Sequence, residues 1–171
     1  MFLHKVLIFT INDMNNNFSE RRSHLANKVL EDSAIIIAAA SVKSRISDTD
    51  YAYRQDSNFY YLSGYEEPES LILIRPNQEK EKFIIFCRDR DPLREQWDGF
   101  RSGQDGAMQE YQADSAYSIN SIDQQMPHLL EGIKNIYFSM SAPNGLDLKI
   151  SQWVEHIRKN TRAGAEPPQN L

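Results

Sequence analysis

Continuous apolar runs along the chain predict the strands of a central sheet. The longest run covers 34–40, a second covers 71–74, and a third opens the segment 83–88. Runs that are short and apolar throughout are typical of strands buried on both faces. The second and third runs are joined by a tight turn at 76–79, which predicts an antiparallel hairpin. Two shorter strands are predicted, an edge strand at 117–119 and another at 136–139.

Apolar residues at helical spacing predict the first two helices. One covers 20–30 with Ser19 as its cap, because a serine hydroxyl can accept from the free amides of a first turn. Its apolar face falls on Leu25 and Val29, among others. The other covers 121–131, and Gly132 is placed to end it.

The last predicted helix completes the pattern and defines the fold class. Asn144 is its predicted cap, and the helix carries one apolar stripe: Leu146, Ile150, Trp153, Val154 and Ile157. Helices that alternate with strands, together with one hairpin, predict an α/β fold in which helices flank a mixed β-sheet. The pattern places one domain at 18–160, an N-terminal extension at 1–17, and a Pro- and Gly-containing linker at 161–171.

Composition argues against nucleic-acid binding and against a membrane-spanning segment. The chain of 171 residues is 40% hydrophobic and 25% charged, with a net charge of −5 and both signs interspersed, so it offers no basic footprint for nucleic acid. No apolar run approaches the roughly 18 residues of a membrane span, and the apolar start is too short for a signal peptide. The single cysteine, Cys87, lies in an apolar run and is interpreted as a small buried hydrophobe, which fits a reducing cytoplasm.

Candidate chemistry within these residues is sparse. The four histidines form no pair with metal-ligand spacing, and no Gly-x-Ser-x-Gly motif occurs. Carboxylates at strand ends could hold two metal ions in a nuclease. The acidic residues in question, however, alternate with arginine or lysine, so charge-paired structural turns are the better interpretation: Asp48, Asp50, Asp56, Asp89 and Asp91.

One polar and aromatic stretch organises the chain. It runs Tyr-Arg-Gln-Asp-Ser-Asn-Phe-Tyr-Tyr-Leu-Ser-Gly-Tyr-Glu-Glu-Pro-Glu over 53–69, and it is predicted as aromatics packed around a turn at Gly64 and closed by Pro68. Two further motifs follow in order, Arg-Asp-Arg-Asp-Pro at 88–92 and Glu-Gln-Trp-Asp-Gly-Phe-Arg-Ser-Gly at 95–103. Together the three resemble the N-terminal domain of aminopeptidase P, the Xaa-Pro aminopeptidases.

This resemblance implies both a fold and a missing partner. The fold would be a mixed sheet flanked by helices, of the ribonuclease-H-like kind found in creatinase and prolidase N-terminal domains. The family's catalytic domain follows this one and holds two divalent metal ions, usually manganese, on two Asp, one His and two Glu. The chain ends at Leu171, before any such residues. It would therefore hold no metal or cofactor itself, and would pair with its own C-terminal metallopeptidase domain.

The implied enzyme is an oligomer, a dimer or tetramer, that cleaves peptides with proline at the second position. The present segment would be inactive alone, would restrict substrate access, and would help to build the oligomer. Two alternatives stay open, a stand-alone interaction module and a domain of a prolidase or creatinase relative. The family also begins near the first helix, so 1–13 is interpreted as an extension, with Met14 as an alternative start.

The resemblance also assigns residues. Trp97 matches a tryptophan that reaches a neighbouring subunit's active site, although a core tryptophan is the alternative from the residues alone. Arg162 is a weaker substrate-channel candidate, since a basic helix end explains it equally well. Arg54 and Asp56 are interpreted as structural, with Arg54 as a buried arginine that holds its loop. The remaining motif positions are also predicted to be structural: Tyr53, Gly64, Pro68, Gly99 and Gly103.

Overall fold

A five-stranded sheet forms the centre of the computed structural model, which describes residues 11–46, 49–140 and 145–171. Its strands are β1 (Ser33–Ala38), β4 (Leu71–Ile74), β5 (Phe83–Cys87), β6 (Ser115–Ser118) and β7 (Asn135–Phe138). A small hairpin pairs β2 (Ser44–Ile46) with β3 (Thr49–Asp50). The helices are α1 (Ile11–Ala26), α2 (Ser57–Ser63), α3 (Pro92–Asp98), α4 (Gly103–Gln109), α5 (Ile122–Leu130) and α6 (Leu146–Lys159).

The sheet is mixed, as the pattern predicts. Its order is β6-β5-β4-β1-β7; β4 runs antiparallel to both β5 and β1, whereas β6 and β7 are parallel to their neighbours. The hairpin of β4 and β5 and the edge position of β6 are therefore confirmed. Strand β1 lies between β4 and β7, and its side chains pack into the apolar clusters on both faces of the sheet, so it needs no polar face.

Helices cover both faces of the sheet, giving three layers. In β4, Leu71 and Leu73 pack on one face with α5 and α6, while Ile72 and Ile74 pack on the other with residues of α2 and α4. This alternation is the two-residue period of a strand. Each leucine or isoleucine so buried contributes on the order of 1.5–3 kcal/mol relative to exposure. The fold class of an α/β domain with flanking helices is thus confirmed.

The two C-terminal helices match their predicted apolar faces. All five stripe residues of α6 are buried, and α5 ends before Gly132, which has a φ of 76°. Between the two helices, the indole nitrogen of Trp153 donates to the Asp123 carboxylate at 2.9 Å. The predicted cap Asn144 lies outside the described residues.

The first helix differs from its prediction at both ends. It begins at Ile11 rather than Glu20, and Ser19 lies inside it, where its carbonyl accepts from the Ser23 hydroxyl. No glycine or proline interrupts 11–19, and each asparagine there costs only about 0.7 kcal/mol in a helix, so the polar segment does not stop it. The helix ends at Ala26, four residues before the predicted end. The proposed extension at 1–13 lies mostly outside the described residues.

The C-terminal segment, predicted as a linker, is tied to the sheet. The amide of Ile136 donates to the Asn170 carbonyl at 2.9 Å, and the amide of Gly132 donates to Glu166 at the same distance. Pro168 is buried. Whether this segment leads into a further domain stays a prediction. Within the described residues no helix has the length and apolar character needed to cross a membrane.

Candidate functional site

The sequence motifs converge on one edge of the sheet. The end of β1 lies beside the start of β4, through the Ala38–Leu71 pair, and the end of β5 lies beside the end of β6, through the Cys87–Ser118 pair. The loop at 51–70 leads into β4 and the loop at 88–102 leaves β5. Both therefore emerge at the same place, which we call the motif edge.

Gln55 holds the first loop together. Its Oε1 accepts from the amide of Ala40 and the hydroxyl of Tyr53, both at 2.9 Å, and its Nε2 donates to the carbonyls of Tyr65 and Glu67 at 3.3 and 3.1 Å. Burial raises the pKa of the Tyr53 hydroxyl to about 12, so it stays protonated and able to donate. Sequence reasoning missed Gln55. The one signal was an amide, able to donate and accept, inside a polar run next to buried strands.

The aromatic part of this loop is a short helix rather than a turn. Asp56 caps α2, because its Oδ1 accepts from the amides of Asn58 and Phe59 at 2.9 Å. Gly64 ends the helix with a φ of 69°, a left-handed conformation that favours glycine. A Cβ there would also lie 2.7 Å from the ring of Phe18. Within α2, Phe59 faces the core while the two tyrosines beside it are exposed.

The buried arginine of this region is Arg22, not Arg54. Arg54 is exposed and forms no hydrogen bond or ion pair within the described part of the chain, so its predicted burial is wrong. Arg22 is only 8% exposed; it donates to the Leu62 carbonyl at 2.8 Å and lies 3.9 Å over the Phe83 ring. Burial lowers the pKa of the Arg22 guanidinium to about 10, opposed by the charge of Asp114.

Glu67 connects the first loop to the second. One carboxylate oxygen accepts from the amide of Ser102 at 2.7 Å, and the other lies 3.3 Å from Nη2 of Arg88. Pro68 follows directly and favours the extended backbone that Glu67 needs to reach across. The first and second motifs, separated by a whole hairpin in sequence, are thus in direct contact.

The second loop contains α3, and the sequence predicts its start, because an aspartate followed by a proline is a typical cap and first position of a helix. Asp91 caps it by accepting from the amides of Leu93 and Arg94 at 3.2 and 3.1 Å, with Pro92 in the first position. The carboxylate of Glu95 accepts from Arg90 at 2.7 and 3.0 Å and from the amide of Asp91 at 3.1 Å. The N-terminal end of this short helix is therefore firmly attached.

The segment after α3 is attached by arginines. Arg101 is buried; it donates to the Asp89 carbonyl at 3.3 Å and to the Asp98 carboxylate at 3.2 Å. Gly103 has a φ of 63°, and a Cβ there would lie 2.7 Å from Cγ of Arg90. Gly99 also has a positive φ of 86°. Gly106, by contrast, lies inside α4 and has no positive φ.

Trp97 is presented to solvent on this loop. Its side chain is 89% exposed, and Leu93 and Phe100 beside it are also exposed. The alternative of a core tryptophan is therefore wrong for this chain; the buried tryptophan is Trp153. Large apolar side chains exposed together mark a contact surface more often than chance placement does. We call the three residues Leu93, Trp97 and Phe100 the apolar patch.

The carboxylates of the motif edge are occupied by hydrogen bonds. Asp89 accepts from the Ser118 hydroxyl at 2.7 Å, from Gln104 at 2.9 Å and from Asn120 at 3.3 Å. These bonds, that of Ser118 foremost, lower the pKa of the Asp89 carboxyl. Across the described residues no three His, Cys, Asp or Glu side chains come together as metal ligands. The described residues therefore do not offer a site for a pair of metal ions.

Arg162 lies apart from the apolar patch. It is exposed in a 3-10 turn after α6, and the chain that follows it pairs with Asn135 at the start of β7, the edge opposite the motif edge. The structure thus gathers Tyr53, Asp56 and Glu67 with the Trp97 loop, and leaves Arg162 elsewhere.

Comparison with known proteins agrees with this geometry. The family model described as "Aminopeptidase P, N-terminal domain" matches residues 18–137, which include both motif loops. The chain belongs to the family of aminopeptidase P N-terminal domains. The match ends before α6, so it does not include Arg162.

Relatives of this aminopeptidase P N-terminal domain are considerably longer. The Xaa-Pro aminopeptidase of Escherichia coli (strain K12) is 34% identical over 155 residues, covering 90% of this chain but 35% of that protein. The structure of Pseudomonas aeruginosa aminopeptidase PepP matches with a TM-score of 0.88 and 39% identity, covering 91% of this chain and 35% of that one. Another similar structure is the zinc-substituted E. coli aminopeptidase P in complex with product, with a TM-score of 0.85. The chain thus spans about a third of the length of these relatives.

Proposed function

We propose that this domain is the non-catalytic N-terminal part of an Xaa-Pro aminopeptidase, an enzyme that removes the N-terminal residue preceding a proline. The observation that carries the proposal is how much of each protein is matched: two relatives with that name match 90% and 70% of this chain with 35% and 28% of their own length. The hydrolysis would use two divalent metal ions, manganese by expectation, held by the metallopeptidase domain that follows in the family. The described residues supply no comparable cluster.

The role proposed for this domain is to shape access to that active site. The apolar patch projects from an anchored helix, which suits it to lie against a second copy of the protein in a dimer or tetramer. Trp97 at its centre would form one wall of the neighbouring subunit's substrate entrance, and a narrow entrance would favour short peptides. Exposed aromatic side chains of this kind are the commonest anchors of protein interfaces.

Two further assignments belong to the same proposal. Arg162 would lie near the substrate channel, although its distance from the motif edge means that any such contact is separate from that of Trp97. A cytoplasmic location is proposed because Cys87 is the single cysteine of the 171 residues and so has no partner for an internal disulfide, which fits a reducing compartment.

A comparison of the 171-residue chain with the protein translated from the whole reading frame tests this function. Both are assayed with manganese on a tripeptide with proline second and on a matched Xaa-Pro dipeptide. We expect turnover of the tripeptide by the whole protein and none by the 171-residue chain. Turnover by the short chain above a buffer blank, in a preparation free of host peptidases, would contradict the proposal.

The same assay separates the alternatives. Preference for the dipeptide over the tripeptide would favour a prolidase relative. A reading frame that stops at Leu171 would favour a stand-alone interaction module, and would redirect the search toward a binding partner of the apolar patch.

A further inference from the structure

The position of the Trp97 ring depends on the two ends of its segment. The ring itself is almost wholly in solvent, so no packing holds it. The N-terminal end of α3 is held by the Asp91 cap and the Arg90–Glu95 pair. At the other end, Gly99 has a φ of 86° and open space where a Cβ would lie, so packing does not restrain that joint. The restraint on this side must come from residues that follow Gly99.

The amide of Ser102 is the restraint that joins this side of the segment to the first loop, while the Ser102 side chain also hydrogen-bonds Tyr111 after α4. The amide donates to Glu67 at 2.7 Å, the shortest of the bonds between the two loops, whereas Arg101 bonds to Asp89 and Asp98 within its own loop. A hydrogen bond to a carboxylate is about twice as strong as one between neutral groups. Glu67 thus attaches the segment to a different part of the chain, 35 residues earlier.

Glu67 is itself well anchored. Its carbonyl accepts from Nε2 of Gln55 at 3.1 Å and from the Ser70 hydroxyl at 2.9 Å. Its second carboxylate oxygen lies 3.3 Å from Arg88, and both of these side chains are largely buried. The carboxylate therefore sits at a fixed place relative to β4 and β5. A fixed anchor transmits the geometry of the sheet to the loop that it holds.

We propose that Glu67 is a positioning residue for Trp97: its carboxylate fixes the Ser102 end of the loop and so sets the direction of the apolar patch. The inference deepens the proposed function and rests on it for its consequence in catalysis. The structural part does not rest on it, because the attachment of the loop can be measured in the 171-residue chain alone.

The first test compares Glu67→Ala with Glu66→Ala as a matched control. Glu66 is adjacent, of the same type and exposed. Amide hydrogen exchange at Ser102 and at 99–101 is followed together with the anisotropy decay of Trp97. We expect exchange at Ser102 to rise about tenfold or more in Glu67→Ala, with larger segmental motion of the indole, and neither change in Glu66→Ala. Acrylamide quenching of tryptophan fluorescence separates the two rings, because Trp153 is only 3% exposed and serves as the protected reference for the exposed Trp97.

Glu67→Gln keeps the test decisive if the alanine variant does not fold. Glutamine retains an oxygen for Ser102 but turns an NH2 group toward Arg88, which weakens the anchor without removing it. Its exchange at Ser102 and its Trp97 motion should exceed those of Glu66→Gln. Values equal to those of the control, with the fold intact, would overturn the positioning role.

The second test uses the whole protein and separates the two proposals. If Glu67 positions Trp97, Glu67→Gln should raise KM for a tripeptide with proline second more than it lowers kcat. When Trp97→Ala is already present, adding Glu67→Gln should cause no further change in KM. If Glu67 only stabilised the fold, Glu67→Gln would lower activity in proportion to the folded fraction, and its effect would add to that of Trp97→Ala. If the loop loosens in the short chain but Trp97→Ala leaves activity and assembly unchanged, the proposed subunit contact fails while the positioning role stands.

Discussion

The hydroxyl of Tyr117 donates to the carboxylate of Glu81 at 2.7 Å and joins β6 to the end of the β4–β5 hairpin. The other oxygen of Glu81 lies 3.3 Å from Arg75, which is buried. The bond from Tyr117 is the largest cause of a lowered pKa for the Glu81 carboxyl, and Arg75 adds to it. This carboxyl therefore contributes to stability in its ionised form.

The pH dependence of folding should report this contribution. Because the folded pKa of Glu81 is lowered, its stabilisation is present above the unfolded pKa of about 4.5 and is lost as the pH falls through the folded value. Glu81→Gln should cost stability at pH of about 7 and flatten the decline toward pH of about 3.5. Urea unfolding across that range measures it. Glu79→Gln, exposed on the same turn, is the control; parallel curves for wild type and Glu81→Gln would contradict the assignment.

The Gln55 network should be costly to remove. Gln55→Ala removes the partner of the Ala40 amide and of the Tyr65 carbonyl and one of the two donors to the Glu67 carbonyl, so we expect a loss of about 2–3 kcal/mol in the free energy of unfolding. Denaturant unfolding measures it. Gln109→Ala, exposed at the end of α4, should change stability by less than about 0.5 kcal/mol. Equal effects at the two positions would show that the network adds nothing.

Loss of the α2 cap should have a moderate effect. Asp56→Ala removes the acceptor of two amide bonds and should cost about 1 kcal/mol, whereas Asp56→Asn, which can still cap, should cost much less. Thermal unfolding of the two variants side by side gives the difference. An alanine variant as stable as the asparagine one would rule out the cap as a source of stability.

Alanine substitutions at two glycines with similar φ values distinguish the cost of backbone strain from the cost of a steric clash. Gly64 and Gly132 have φ values of 69° and 76°, but only at Gly64 would a Cβ meet another atom, 2.7 Å from the Phe18 ring. Alanine at either position carries the left-handed strain, of order 1–2 kcal/mol. Gly64→Ala should therefore be the more destabilising in denaturant unfolding. If the two variants lose equal free energy of unfolding, the Phe18 ring moves aside at no measurable cost in stability.

The two tryptophans should respond in opposite ways. Trp97→Ala removes an exposed ring and should leave the stability of the 171-residue chain within about 0.5 kcal/mol of wild type. In the whole protein it should weaken assembly or raise KM, measured by light scattering and by peptide hydrolysis. Trp153→Ala should instead cost about 3–5 kcal/mol, since it empties a core position and removes the bond from the indole to Asp123. A large stability loss from Trp97→Ala would mean that the ring packs in solution.

The sheet could be predicted from sequence because its strands are apolar on both faces. Such runs have few alternatives to burial, and β4, β5 and the stripe of α6 follow directly from them. The capped start of α3 was also predictable, because Asp91 and Pro92 act on adjacent residues. These features depend on local sequence and on hydrophobicity alone.

What could not be predicted depends on contacts distant in sequence. Arg22 is buried because it reaches Leu62, 40 residues later, whereas Arg54 in the motif stays exposed. The bond from Ser102 to Glu67 spans 35 residues. The hydrophobic periodicity of the sequence does not indicate contacts between residues so far apart in the chain. The start of α1 was missed for another reason, since a serine that could cap a helix fits equally well inside one.

The attachment of residues 166–170 beside β7 determines where a following polypeptide would leave this domain. Hydrogen bonds at Gly132, Lys134 and Ile136 hold that segment at several points. A polypeptide continuing past Leu171 would thus leave the domain beside the start of β7. Because the apolar patch lies on a loop at the other end of the same sheet, a neighbour bound there and a polypeptide joined at Leu171 would lie on opposite sides of this domain.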